Sequence, residues 1–473
     1  MSEARQQTDV DQPSSGRWLA LAVCCSALFM TLLDVSITNV ALPSIGKATD
    51  ATSSQLQWVV SGYTLTFGMV PVLAGKLGDD YGRRVMFQLG VVAFALTSAF
   101  AGLAPSADML IAARFAQGIA GGLINPQVSG LVQQMFSGAD RGKAFGFLGT
   151  TVGLGTALGP LLGGVLIALG GPDLGWRLVF FVNVPIGLIV VIMARRLLPE
   201  PTARTRHRLD IIGALLIGGA TLCVLGAAVE YDSIHDIRLV LLIIPASGLM
   251  WLFVRRERRL TEMKADPLVD FRLFRTRSYT SGVLLGLTYF PAFAGFPLVL
   301  ALYYQQGLGY TALLSALGVT AYAAGNAISA PIAGRLVTRI GRKLVVISAV
   351  MFGLGAVSLA LVAFNYDGHH AILAFAGPLL VMGLGSGGVV TPNQTLTLAD
   401  VDPLIGSAAG GVLQTAQRIG IALGQVIVGA VFFAAVRSSG DFGHSLGSAA
   451  LVGVGFVLIA ITIAVADLRR TGR

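Results

Sequence analysis

Apolar residues run through this chain in long uninterrupted blocks, and short segments rich in arginine and lysine separate one block from the next. A helix that crosses the hydrocarbon core of a bilayer needs about 20 mostly apolar residues. Runs of that kind fall at 18–43, 56–75, 85–104, 107–132, 144–169, 177–197, 209–229, 238–255, 278–304, 309–333, 343–364, 371–397, 406–435 and 447–468, which predicts fourteen transmembrane helices. Several runs exceed what a straight crossing requires, so tilted or bent helices are expected.

The positions of the cations test the count. With the amino terminus inside, cytoplasmic segments hold 27 of the 33 basic residues. The outer side keeps only Lys47, Arg177, Arg238 and Arg437, while Arg114 and Arg418 fall within spans. Adding or removing one span would scramble this separation from that point onward. Both termini are therefore expected in the cytoplasm, and the first 17 residues read as a cytoplasmic tail, with no small-residue cleavage site to mark a signal peptide.

Composition closes off other classes. The chain is 54% apolar and 12% charged, whereas soluble domains carry about 25% charged residues. The net charge of +9 would suggest nucleic acid in a soluble domain, but here it follows the inside-outside pattern, and no nucleic-acid partner is expected. Cys24, Cys25 and Cys223 lie in apolar runs without metal-site spacing, and no metal or cofactor is expected. All five histidines, at 207, 235, 369, 370 and 444, fall in loops.

The chain repeats itself. Gly75-Lys-Leu-Gly-Asp-Asp-Tyr-Gly-Arg-Arg84 after span 2 returns as Gly334-Arg-Leu-Val-Thr-Arg-Ile-Gly-Arg-Lys343 after span 10, an offset of 259 residues. Gly146, Gly155, Gly159 and Gly164 of span 5 return as Gly411, Gly420, Gly424 and Gly429 of span 13, an offset of 265. This organisation reads as a tail at 1–17, a six-helix bundle at 18–197, two inserted helices with basic linkers at 198–277 and a second six-helix bundle at 278–469. Related halves around a central axis are the architecture of alternating-access transporters, whose substrate site lies between the halves near the midplane.

Four stretches carry a family resemblance: Leu33-Asp-Val-Ser-Ile-Thr-Asn-Val-Ala-Leu-Pro43, the Gly75–Arg84 loop, Leu110-Ile-Ala-Ala-Arg114-Phe-Ala-Gln117-Gly118, and Gly155-Thr-Ala-Leu-Gly159-Pro160-Leu-Leu-Gly163-Gly164. Together and in order they resemble the major facilitator superfamily, in particular its fourteen-span drug:proton antiporter branch. The resemblance covers roughly residues 17–470 and implies an all-α integral membrane fold.

Asp34 is the only acid deep inside a span. An intramembrane acid points to function, and lost hydration penalises the charged form of a carboxyl group so placed, so Asp34 is the candidate proton carrier. Arg114 is a permanent cation at depth and the candidate partner in coupling; Gln117 is expected to bond between helices. The resemblance implies the same coupling role for the aspartate. It also implies that Gly75, Asp79, Gly82, Arg83 and Arg84 form a cytoplasmic latch, with Asp79 at the positive end of span 13. Arg83 or Arg84 would then pair with Asp400 or Asp402. Two departures stand out: Asp80 replaces a basic residue and Thr338 an acid, so the second latch is expected to be weak or absent. Gly155, Gly159, Pro160, Gly163 and Gly164 resemble the antiporter motif of exporters and form a close-packing surface. The run 153–159 superficially matches a dinucleotide fingerprint, but it lies inside an apolar span with no strand before it.

Asn39, Tyr63, Gln127, Asn326, Asn393, Gln417 and Arg418 are candidates to line a substrate cavity. Arg418 stands apart, because a second permanent cation at depth needs a partner or an anionic substrate. The expected protein is not an enzyme but a monomeric, proton-coupled exporter of hydrophobic or amphipathic small molecules in the plasma membrane. A transporter of one specific metabolite, lipid or peptide, and an uncoupled facilitator, are the competing expectations.

Overall fold

The computed structural model describes residues 14–200, 210–230, 238–263, 265, 267–366 and 370–471. The tail at 1–13 and the linker at 201–209, with Arg204, Arg206 and His207, lie outside the described residues, as do His235 and His369. The described chain is helical throughout. The first bundle comprises α1 (Ser14–Thr49), α2 (Ser53–Met69), α3 (Pro71–Tyr81), α4 (Arg83–Leu103), α5 (Ala107–Met135), α6 (Gly138–Phe181) and α7 (Asn183–Leu197). The inserted pair is α8 (Ile211–Glu230) and α9 (Arg238–Glu262). The second bundle comprises α10 (Arg277–Leu302), α11 (Ala312–Gly318), α12 (Thr320–Ile340), α13 (Arg342–Asn365), α14 (Ala371–Thr397), α15 (Gly406–Ser439) and α16 (Phe442–Thr471).

Among the described residues, nine helical segments are long and apolar enough to cross a membrane, and the α2–α3 pair, bent by 48°, makes a tenth. The remaining four predicted runs fall on 138–171, α8, α9 and the α11–α12 pair, so each of the fourteen runs is helical. The breaks have local causes. Pro71 cannot donate to the preceding turn and opens α3 at its first position. Thr52 and Gln55 cap the start of α2 reciprocally. Gly171, at φ 67°, turns the chain between 138–170 and the segment leading into α7.

The internal repeat is visible as geometry. Gly82 and Gly341, 259 residues apart, both take positive φ (104° and 60°) at the tight turns after α3 and α12, a conformation open to glycine. Gly146 sits against Ala330 and Pro331 of α12, and Gly411 sits against Pro71 and Val72 of α3. These are the same contact in the two halves. The bundles therefore meet along two related seams, α6 on α12 and α15 on α3. The inserted pair packs together and leans on α2 and α15, with Val72, Ile217, Phe253, Leu268 and Val269 forming a small apolar cluster beside one seam.

Candidate functional site

Asp34 lies in the middle of α1 with no exposed surface. Its Oδ2 accepts from Arg114 Nη1 at 2.5 Å, and its Oδ1 accepts from Gln117 Nε2 and Asn183 Nδ2, each at 2.9 Å. Arg114 and Gln117 are three residues apart on α5 and so share a face. Arg114 Nε donates to the Val59 carbonyl at 3.0 Å and Nη1 to Gln117 Oε1 at 2.7 Å. Asn183 also donates to Ser98 Oγ at 2.9 Å. Five helices, α1, α2, α4, α5 and α7, thus join in one network around this carboxylate. Removing one partner of a buried, hydrogen-bonded ion pair costs about 3–5 kcal/mol.

Sequence reasoning reached Asp34, Arg114 and Gln117 but not Asn183, an asparagine isolated in an otherwise apolar run that could have been flagged by that contrast. Thr38, one turn further along α1, donates at 2.6 Å to the backbone carbonyl of Asp34, not to its carboxylate.

A stack of side chains leads away from this pair. The Arg114 Cζ lies 4.3 Å from the Tyr63 ring centroid. Tyr63 stacks on Phe67 at 5.5 Å and 24°. On Phe67, in turn, lies the Arg418 guanidinium, 4.4 Å from the centroid. Arg418 opens onto a central cavity of about 160 Å³ between the bundles. Its walls come from α1, α5 and α6 of the first half and α10, α12, α14 and α15 of the second, with Asn125, Ser129, Asn326, Gln394, Gln414 and Gln417 as polar members. The side-chain amides of Gln394 and Gln414 both donate to Ser129 Oγ, at 3.3 and 3.2 Å, and so tie the two halves together across the cavity.

Of the seven residues expected to line a cavity, Asn326, Gln417 and Arg418 do line it. The other four are placed elsewhere. Tyr63 is sealed beneath Arg114 and donates to the Thr31 carbonyl. Gln127 is buried and donates to the Ala74 carbonyl at 2.7 Å. Asn393 accepts from Arg342 and donates to the Gly282 carbonyl, both at 2.9 Å. Asn39 borders a separate shallow pocket between α1 and α2. A polar residue at depth has helix backbones to bond as well as a cavity to face, and spacing alone does not separate the two outcomes.

The Gly75–Arg84 stretch, expected as a loop, is instead the end of α3 and the start of α4 around the Gly82 turn, and it lies against the start of α15. Asp79 accepts from the backbone N–H groups of Ser407 at 3.2 Å and Ala408 at 2.8 Å, where the first-turn amides favour an anion. Arg83 donates to Asp79 and, at 2.8 Å, to the Gly130 carbonyl, and it also donates to the Pro403 carbonyl. A Cβ at Gly75 would strike the Ser407 carbonyl, so backbone meets backbone here. The loop acids are not the partners expected for Arg83 and Arg84. Asp402 caps its own turn at Leu404 N and Asp400 accepts from Ser278 Oγ. Arg84 turns instead to the carbonyls of Arg195 and Leu198 at the end of α7. Asp80, the departure from the family pattern, faces Lys76 at 3.6 Å. In the second copy, Gly334 approaches Gly142 of α6 as Gly75 approaches Ser407. Arg342 pairs within its own bundle, with Asp467 at 2.6 Å.

The glycines of α6 press on the helix that carries Asp34. A Cβ at Gly155 would stand 2.9 Å from Leu32 Cβ, one at Gly163 2.9 Å from Ile37 Cγ1, and one at Gly159 would overlap Ser36 Cβ. Gly164 faces open space. The side chain of Pro160 lies outside the described residues.

Residues 24–425 match the Major Facilitator Superfamily. The chain is 34% identical over 392 residues to the probable actinorhodin transporter of Streptomyces coelicolor, covering 82% of this chain and 68% of that protein. It is 30% identical over 391 residues to the riboflavin transporter RibZ of Clostridioides difficile, covering 82% of each. It is 32% identical over 386 residues to the multidrug resistance protein Stp of Mycobacterium tuberculosis, covering 81% of this chain and 70% of that one. Among solved structures, the human organic anion transporter MFSD10 superposes with a TM-score of 0.66 at 15% identity, over 95% of this chain and 99% of that chain, a likeness of fold. With two related bundles around a central cavity and a match that spans most of its length, this chain belongs to the Major Facilitator Superfamily and is a multi-pass membrane transporter of small molecules.

Proposed function

We propose that the protein exports hydrophobic or amphipathic small molecules from the cytoplasm in exchange for protons, with Asp34 as the proton carrier. The observation that carries this reading is the position of the Asp34–Arg114 pair. It is fully buried, one layer behind the cavity wall, and joined to that wall by the Tyr63–Phe67–Arg418 stack. A proton taken up by Asp34 cancels the charge that holds Arg114. Arg114 then keeps only the Val59 carbonyl and Gln117 as acceptors, and the cation over Tyr63 is free to shift. The glycine face of α6 rests on α1 beside Asp34, so a change at the carboxylate is felt at the α6–α12 seam between the bundles. At the cytoplasmic end, the Asp79–α15 contact holds the bundles together, and it breaks when the cavity opens inward. One charge moved through 100 mV is worth about 2.3 kcal/mol, or roughly 50-fold accumulation, so one proton per cycle supports useful export.

The names of two relatives, an actinorhodin transporter and a multidrug resistance protein, support export of amphipathic compounds. A riboflavin transporter at 30% identity favours a second reading, a carrier with one specific metabolite on the same scaffold. The test uses purified protein in liposomes with an imposed pH gradient, following internal pH while substrates are added. Substrate-dependent proton flux that is lost in Asp34→Asn is the expected result. Substrate movement indifferent to both gradient and mutation would leave a facilitator. A response confined to one compound among lipophilic cations, neutral aromatics and amphipathic anions would favour the specific carrier.

A further inference from the structure

Arg418 is the one charged residue among those that line the central cavity. Among the described residues its guanidinium has neither an ion pair nor a hydrogen bond, and its contact is the face of Phe67. The deep acid does not answer it, because Asp34 is buried behind the wall and committed to Arg114, Gln117 and Asn183. An unpaired permanent cation at membrane depth is costly, and such residues mark substrate or ion pathways. A cation–ring contact consumes none of the guanidinium's N–H donors, the planar fork that receives a carboxylate bidentately. Thr391 Oγ1, on α14, lines the same cavity, buried and without a partner among the described residues, and its hydroxyl can donate to an anion. Phe290 and Phe293, 5.0 Å apart, supply the apolar side.

We propose that the cavity is built for an organic anion: an aromatic acid whose carboxylate is held by Arg418 while its ring lies against Phe290 and Phe293. The inference rests on the cavity being the substrate site of the exporter proposed above, and it narrows the substrate class. A lipophilic cation meets a like charge with no acid on the wall to offset it. The choice of anion also sets the electrical character of the cycle. A monoanion leaving as one proton enters moves two charges, a neutral compound one and a monocation none.

The test compares three probes on one ring system: naphthylacetate, its methyl ester and naphthylethylamine. Binding to the purified full chain is measured by titration, and proton flux in proteoliposomes with and without an imposed potential. Naphthylacetate is expected to bind at least about tenfold tighter than the amine, the scale of one charge-assisted hydrogen-bonded pair. Arg418→Gln is expected to erase that preference and Arg418→Lys to retain part of it. An inside-negative potential is expected to accelerate exchange of the acid more than that of the ester. Equal or tighter binding of the amine, binding of none of the three, or a preference that survives in Arg418→Gln overturns the proposal. The wild-type ranking decides the matter even where a variant fails to fold. Proton flux driven by the ester or the amine without preference for the acid sinks the anion site and leaves proton-coupled export standing. Preference for the acid without proton flux does the reverse.

Discussion

A single carboxylate organises this membrane interior, and its neighbours reveal what a substitution would do. Asn183 donates to both Asp34 and Ser98, each fully buried. Asn183→Leu removes one of the three side-chain donors to the Asp34 carboxylate and leaves Ser98 Oγ without its amide partner. The expected cost is about 1–3 kcal/mol, seen as a lower melting temperature in detergent, together with a displaced pH profile of substrate-driven proton flux. Asn183→Asp places a second acid against Asp34 Oδ1 and is expected to be the more damaging. An unchanged pH profile in Asn183→Leu would limit the residue to packing. At the proposed latch, Asp79 accepts two backbone N–H groups of α15 and pairs with Arg83. Asp79→Ala removes charge-assisted hydrogen bonds worth roughly 1.5–3 kcal/mol, which favours the inward-open state by about tenfold or more. A cysteine introduced at Ser129, with Cys24, Cys25 and Cys223 replaced, is then expected to be alkylated faster from the cytoplasmic side.

At the scale of the helix, the glycine seam supplies its own control. Gly159 lies where any Cβ collides with Ser36, whereas Gly164, one turn and a residue further along the same helix, faces open space. Gly159→Ala is expected to force α6 from α1 at a cost of about 1–3 kcal/mol and to slow transport severely with membrane insertion intact. Gly164→Ala is expected to transport as the parent does. Equal transport in the two variants would show that the motif acts by something other than close approach.

The inserted pair makes a different prediction. Glu257 lies beyond the apolar run 238–255, fully covered, with Oε2 accepting from Val269 N at 3.0 Å. Burial, aided by the neighbouring Asp210 carboxylate and opposed by the Val269 N–H, pushes its carboxyl group up to about 7. Arg256 is committed to Asp210 at 2.8 Å, Arg272 to Asp270 at 2.8 Å and Lys76 to Asp80 at 3.6 Å. Because the folded state holds this proton more tightly than the unfolded chain, stability is expected to fall as pH rises from about 4.5 through about 7 and then to level off. Glu257→Gln should remove that slope and be the more stable protein at about pH 8. Thermal unfolding across this range checks both statements.

On the scale of the whole molecule, two related seams join the bundles, and the repeat explains their equivalence. The Gly146–Pro331 and Gly411–Val72 contacts are the same approach of helix to helix made twice. The charge distribution breaks that symmetry. Asp34 and Arg114 belong to the first half, and the charge that lines the cavity, Arg418, comes from the second. On the reading proposed above, proton chemistry and substrate recognition fall to different bundles, linked through Tyr63 and Phe67 where the halves meet. Phe67→Leu keeps an apolar filler but removes the ring on which Arg418 rests, a stacking interaction of about 0.5–2 kcal/mol. Substrate binding with weakened proton coupling is the expected result, read as fewer protons moved per substrate in liposomes.

Hydropathy and charge asymmetry along the chain were enough to establish membrane insertion and fourteen helical runs, because a bilayer demands long apolar helices and leaves cations inside, and the motifs repeated at offsets of 259 and 265 residues were enough to establish the duplication. They were also enough to single out Asp34, Arg114 and Arg418, since a charge inside a span has no inexpensive explanation. Partner and cavity assignments belonged to the tertiary structure. Tyr63, Gln127 and Asn393 differ little in sequence context from Asn326 and Gln417, yet the first three spend their hydrogen bonds on backbone carbonyls or an arginine while the last two face the cavity. Nothing local tells them apart, because the deciding acceptor lies tens or hundreds of residues away. The same holds for Arg83, whose partners across the seam depend on where the start of α15 comes to rest.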